Sequence, residues 1–162
     1  ILHVNTTNGS TEEIYRWSNQ CWVEIIPGAP KVVGESIITI EDHDEARRVM
    51  VDGKPCSPEG IQIRSLIHYS EDGLLATCNP NPLDQQICRV TVSGDTTLIT
   101  ETAGIHEANA NDALMVIQHR SMNFDGVKTG FYKSDKLIME IPDYSETPNI
   151  TLNSFFHKTG ES

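Results

Sequence analysis

The chain is patterned mainly for short strands, in which apolar and polar residues alternate and turn residues separate the segments. The clearest alternation lies at 87–93, where Cys88, Val90 and Val92 share one face. Similar segments occur at 21–26, 31–40, 47–51, 61–69, 74–78, 97–102, 113–119, 127–133, 136–141 and 150–157. Short strands at this spacing predict a mainly β fold, an antiparallel β-sandwich or barrel of roughly 8–11 strands.

One short helix is predicted near the start, over about 11–19. Ser10 and Glu13 have the spacing of a capping box, in which each side chain satisfies a backbone N–H at the first turn. Ile14, Trp17 and Cys21 then recur on one apolar stripe. The pattern is less clear in two stretches. Residues 41–46 could form a single helical turn, and residues 103–112 could form a long loop or a short helix.

Composition supports one β domain over 1–162. Ile, Val and Thr outnumber Ala and Leu, and branched side chains suit a pleated sheet better than a helix. No linker-like run or internal repeat marks a boundary, and no apolar run approaches the roughly 20 residues of a membrane span. Because the sequence starts at Ile1, we expect either a signal segment that was removed or left out, or a domain of a longer chain.

The chain is strongly acidic. It has 12 Lys plus Arg against 23 Asp plus Glu, a formal net charge of −11. Such a chain repels phosphate backbones and anionic membranes, so neither nucleic acid nor membrane insertion is expected. The same charge would steer a basic protein partner towards it.

Four cysteines, Cys21, Cys56, Cys78 and Cys88, lack the close spacing of a zinc site. An even number without metal spacing predicts two disulfides, for which three connectivities are open. We favour a bridge between Cys78 and Cys88 across the loop that contains Pro80 and Pro82, which leaves Cys21 to pair with Cys56. The alternative is four free thiols that pack as small apolar groups.

Three sequons, at Asn5, Asn8 and Asn149, match the acceptor pattern for N-glycosylation. Two of them lie in a polar N-terminal segment and the third follows a proline-containing turn, contexts in which a bulky glycan fits. Together with the predicted disulfides, they predict an extracellular or cell- or virion-surface location reached through the secretory pathway.

The sequence contains none of the common catalytic motifs, and neither a cofactor nor a metal is expected. Six histidines are present, and no spacing pairs one of them with a nucleophile, so each is expected at the surface or at a strand edge. No catalytic residue is therefore predicted.

The first functional hypothesis is a secreted or ectodomain protein-binding module with an acidic, loop-bearing surface. Exposed loops held by a rigid scaffold often carry binding residues. The candidates lie in the loop between the predicted bridge cysteines, and they are Asn79, Asn81, Asp84, Gln85 and Gln86.

Two alternatives remain. A barrel could carry a small apolar ligand in a cavity lined by Ile and Val. A hydrolase could assemble a site from Asp and Glu residues that are distant in sequence.

Overall fold

The computed structural model describes residues 1–70, 72–144 and 146, and these residues form fourteen strands and no helix. The predicted mainly β, antiparallel fold is confirmed. In chain order the strands are β1 Leu2–Val4, β2 Thr11–Glu13, β3 Lys31–Val33, β4 Ser36–His43, β5 Ala46–Val51, β6 Lys54–Pro55, β7 Gln62–Ser70, β8 Gly73–Asn81, β9 Asp84–Val90, β10 Thr96–Leu98, β11 Ile105–Ala110, β12 Met115–Arg120, β13 Lys128–Lys133 and β14 Lys136–Ile141.

Twelve of the strands form three consecutive antiparallel meanders of four strands each. The first meander is β3–β6, the second is β7–β10 and the third is β11–β14, while β1 and β2 form a separate hairpin. The third meander joins the second through one parallel bridge between Ile105 and Gln85. The chain therefore repeats one supersecondary unit three times, although no repeat is visible in its sequence.

The second meander is buried on both faces, so that the three meanders stack as layers. Leu74, Ala76 and Cys78 on β8 pack towards the first meander, against Ile38, Ile40 and Val49. Leu75 and Ile87 point the other way and pack against Met115 and Ile117 of the third meander. Since alternate side chains of a strand point to opposite faces, β8 contributes to two cores at once. Sheets packed face to face in this way are compatible with the predicted sandwich.

The predicted helix at 11–19 is wrong. Residues 11–13 form β2, which pairs with β1, and Glu13 binds the Arg16 guanidinium instead of capping a helix. Further along, the Tyr15 hydroxyl donates to the Glu41 carboxylate at 2.6 Å. This bond ties the N-terminal segment onto the buried Glu41 of the first meander, so tertiary contacts override the local helix signal.

Tight hairpins explain a second correction. The stretch 41–46 is not a helical turn, because Asp44 and Glu45 adopt φ angles of 50° and 63° between β4 and β5. Ser134 and Asp135 have φ angles of 47° and 60° between β13 and β14. Two successive positive φ values are typical of the type I′ turn, whose twist suits antiparallel neighbours.

Two other segments differ from the sequence prediction, and a third is not tested. Residues 21–26 lie outside any strand, and the stretch 103–112 contains β11 instead of a loop or helix. The predicted strand at 150–157 lies outside the described residues. Among the described residues there is no helix that could serve as a membrane span.

The predicted disulfides are wrong as well, because Cys21, Cys56, Cys78 and Cys88 are all free. Cys78 lies opposite Gln86 and Cys88 lies opposite Ala76, so the two cysteines are diagonal neighbours on adjacent strands. Diagonal Cα atoms lie roughly 7–8 Å apart, beyond the roughly 4.4–6.8 Å that a disulfide spans. Contact with the Cys78 thiol, together with burial, raises the pKa of Cys88.

Cys21 and Cys56 occupy different environments and do not pair. Cys21 is exposed in the segment after β2, whereas Cys56 is buried at the end of the first meander. The Cys56 thiol donates to the Thr91 carbonyl at 2.9 Å, and burial raises its pKa. Cys56 thus serves as a small apolar group with one satisfied donor.

The double-sided core predicts a large cost for truncating β8. Leu74→Ala should lower the free energy of unfolding by about 2–5 kcal/mol, because Leu74 is fully buried and a cavity would remain. Urea unfolding measures this, with Leu83→Ala as the matched control, since Leu83 is 80% exposed in the β8–β9 turn. Equal costs for the two variants would contradict the layered core.

The free thiols give a second prediction. In the native protein a water-soluble thiol reagent should label Cys21 rapidly and the three buried cysteines slowly, and under non-reducing denaturation all four should react. Mass spectrometry counts the labels, and Cys21→Ser should remove the rapid one. Two thiols that stay unlabelled after denaturation, joined as Cys78 to Cys88, would overturn the free-thiol assignment.

Candidate binding cleft

An open cleft of about 440 Å³ lies where the second meander meets the third. Arg64, Ser65, Thr77 and Gln85 belong to its second-meander wall. Glu107, Asn109 and Gln118 belong to the opposite wall, on β11 and β12 of the third meander. Most of the lining side chains can donate or accept hydrogen bonds, which sets this surface apart from the two apolar cores.

Two bulges in β7 direct side chains into the cleft. Ile63 pairs with Cys78 and Ser65 pairs with Thr77, which leaves Arg64 as an extra residue. Leu66 pairs with Ala76 and His68 pairs with Leu75, so Ile67 is a second extra residue. Ile67 also lines the cleft. A bulge re-aims the side chain that it inserts and is often found at sheet edges beside functional sites.

The charged groups of the cleft are held by neighbouring polar side chains. Arg64 Nε donates to Asn79 Oδ1 at 2.5 Å. Across the cleft, Glu107 Oε2 accepts from Arg120 Nη1 at 2.6 Å. Arg64 and Glu107 are both exposed, so the cleft presents a guanidinium from one wall and a carboxylate from the other.

The predicted binding loop is a tight hairpin. β8 continues through Asn79 and Pro80 to Asn81, and a bulge after Cys78 accommodates the proline, which cannot donate to the ladder. Asn81 Oδ1 accepts from the backbone N–H groups of Leu83 and Asp84 at 2.9 and 3.0 Å. These bonds close a two-residue turn in place of the expected long loop.

Of the predicted contact residues, Gln85 lines the cleft and Asn79 orients Arg64 at its edge. Asp84 Oδ1 accepts from the Gly104 N–H at 2.7 Å. Hydrogen bonds from Asn81 and Gly104 lower the pKa of Asp84, so its carboxylate also holds the connection to the third meander.

Gln86 has an internal role. Its side chain is buried, with Oε1 accepting from the Thr100 hydroxyl at 2.7 Å and Nε2 donating to the Thr102 carbonyl at 2.9 Å. It therefore fixes the segment that leads from the second meander to the third. Partner contact by Asn79, Asn81, Asp84, Gln85 and Gln86 stays a prediction.

Sequence reasoning missed Arg64, Glu107, Asn109 and Gln118. Alternation at 105–110, with His106, Ala108 and Ala110 on one face, was the available signal for β11. Ala and Asn are depleted in strands, which conceals that pattern. Nothing local in the sequence marks the bulge at Arg64.

No protein-family model and no curated protein matches the chain. Among solved structures, the fold is similar to part of dipeptidyl peptidase 4 from Porphyromonas gingivalis, with a TM-score of 0.66 and 12% sequence identity. The match covers 88% of this chain and 22% of that one. The present chain thus matches a small part of the peptidase, and at this identity the similarity concerns the fold.

The buried amide of Gln86 gives a prediction that separates structural from binding roles. Gln86→Ala should lower the free energy of unfolding by about 1–3 kcal/mol, because it removes the acceptor of the Thr100 hydroxyl proton and the donor to the Thr102 carbonyl. Gln118→Ala, at an exposed position of β12, should change it by less than about 0.5 kcal/mol. Thermal or urea unfolding compares them, and a neutral Gln86→Ala would refute the structural assignment.

Proposed function

We propose that this chain is a non-catalytic recognition module that binds an extended peptide segment of another protein in the cleft between the second and third meanders. The observation that carries the proposal is the cleft itself, with Arg64 and Glu107 on its two walls. An extended peptide exposes N–H and C=O groups along its length, which amide side chains such as Gln85, Asn109 and Gln118 can pair with.

The form of β7 favours side-chain recognition over strand addition. β7 is the last strand in the order of its sheet, and an unpaired edge can accept a further strand. Its two bulges interrupt the regular row of backbone groups, while they direct Arg64 and Ile67 into the cleft. We infer that the guanidinium of Arg64 contacts a partner carboxylate or carbonyl, and that Glu107 contacts a cationic group.

The layering of the fold supports a place in a larger β assembly. Stacked antiparallel meanders of four strands are the units of β-propellers. Met139 and Ile141, which share one face of β14, are about half exposed, as expected of a face that a further meander covers. We propose that the three meanders are consecutive blades of such a domain, and the structural similarity to part of the dipeptidyl peptidase supports this.

We propose a secretory location from the glycosylation sequons alone, because the cysteines are free and the predicted disulfides no longer support it. Asn5 and Asn8 are exposed in the β1–β2 hairpin, where a glycan has room, and Asn149 lies outside the described residues. The net charge of −11 favours a basic partner, whose binding should weaken as salt is added.

The carrier alternative has less support. The apolar cavity beneath the N-terminal segment, beside Trp17, Val23 and Ile26, has a volume of about 190 Å³. Ligand pockets are usually about 300–1,000 Å³. The hydrolase alternative, a site assembled from Asp and Glu residues distant in sequence, gains only the name of a structural neighbour that is 12% identical, and that similarity supports the fold alone.

Peptide binding by the cleft can be tested with a synthetic peptide library rich in Lys and Arg, with fluorescence polarisation as the readout. Arg64→Ala and Glu107→Gln should each weaken binding about tenfold or more, which corresponds to about 1.4 kcal/mol. The matched controls are Arg16→Ala and Glu12→Gln, at exposed positions of the N-terminal segment. Absence of binding by the folded protein, or equal loss in the controls, would overturn the proposal.

A further inference from the structure

Two histidines form a cross-strand pair where the cleft wall joins the second meander. His106 on β11 lies opposite His119 on β12, and their rings stack with centroids 4.0 Å apart and planes inclined by 15°. The sequence predicted a position at the surface or at a strand edge for both, and His106 is only 2% exposed. We call the contact of β11 with β9 and the connecting segment 99–104 the seam.

The hydrogen bonds of His106 fix which ring nitrogen carries the proton in its neutral form. Its Nδ1 lies 3.0 Å from the Gln85 carbonyl, so Nδ1 donates the proton. Nε2 lies 3.2 Å from the Thr102 hydroxyl and accepts from it. Gln85 Nε2 in turn donates a hydrogen bond to the His106 carbonyl at 2.9 Å. The imidazole therefore connects β11 to both β9 and the connecting segment.

Protonation of this ring has a physical cost. The Thr102 hydroxyl can turn and accept instead of donating, so that contact survives, but a cation would be buried and stacked on a second imidazole. Burial lowers the pKa of His106, and His119 lowers it further, against the opposing effects of the Gln85 carbonyl and Asp84.

The surrounding charges do not cancel this cost. Lys128 on β13 lies opposite His119 in the ladder and repels a second cation. Glu101 of the connecting segment and Glu140 of β14 line an adjoining cavity of about 210 Å³ together with both histidines. Asp84, from the β8–β9 hairpin, is already bound to the Gly104 N–H. Carboxylates attract a cation, but burial affects the pKa of His106 more strongly than Asp84 does.

We propose that the His106–His119 stack makes the seam open in mild acid and thereby switches off peptide binding in the adjoining cleft. Two residues link His106 directly to the cleft. Gln85 is hydrogen-bonded to His106, Glu107 follows His106 in the sequence, and both residues line the cleft. The effect on peptide binding rests on the proposed function, whereas the opening of the seam does not.

The direction in which the stability of the seam changes with pH follows from proton linkage. A histidine with a lowered folded-state pKa binds its proton more readily in the unfolded or opened state. The seam is thus fully stable above the ordinary histidine pKa of about 6.5 and loses stability as the pH falls below it. The opposite trend would be expected if protonation strengthened the contact.

Hydrogen–deuterium exchange of the full chain at about pH 7.5 and about pH 5.5, corrected for the intrinsic pH dependence, tests the seam. Peptides covering 104–110 should exchange several-fold faster at the lower pH in the wild type. In His106→Asn they should not, because the Asn amide can replace Nδ1–H as the donor to Gln85 and does not titrate. His3→Gln, at an exposed position of β1, should behave as the wild type.

A second variant guards against misfolding of the first. His119→Gln can keep a donor towards the Ala103 carbonyl and removes the neighbouring imidazole, so it should show a smaller acid effect than the wild type. Unchanged wild-type exchange in acid, or an equal acid effect in His106→Asn, would overturn the inference. If the seam opens as expected while the basic peptide library binds at neither pH, the proposed function fails and the acid-sensitive seam stands.

Discussion

The fold depends on the burial of both faces of the second meander. Leu74 and Ala76 point into one core and Leu75 into the other, and all three are almost fully buried. A strand covered on both sides reads as a continuous apolar run, and full burial of each aliphatic side chain contributes roughly 1.5–3 kcal/mol. Because β8 belongs to both cores, the first and third meanders are coupled through it.

The polar site follows from this layering. The cleft and the seam both lie where the second meander meets the third. There the bulges of β7 insert Arg64 and Ile67 into the cleft, and the stacked pair of His106 and His119 closes the seam. The cleft walls are therefore positioned by the same packing that stabilises the fold.

Sequence patterning predicted most strands because alternation and turn residues are local signals. Residues 136–141 were predicted with the bounds of β14, and the apolar run 74–78 marked the centre of β8. The helix at 11–19, the disulfides and the cleft depend on distant contacts instead. Tyr15 reaches Glu41, Cys78 and Cys88 are offset by the ladder register, and Arg64 occupies a bulge, none of which a local pattern contains.

Residue-resolved hydrogen exchange at neutral pH tests the central claim, that the double-sided second meander is the most stable layer. Amides of β8 and β9 should exchange only through global unfolding, more slowly than those of β4 and β5 or of β12 and β13. The hairpin β1–β2 and the exposed strand β14 should exchange fastest. Amides of β8 that exchange as fast as those of the flanking meanders would contradict the account.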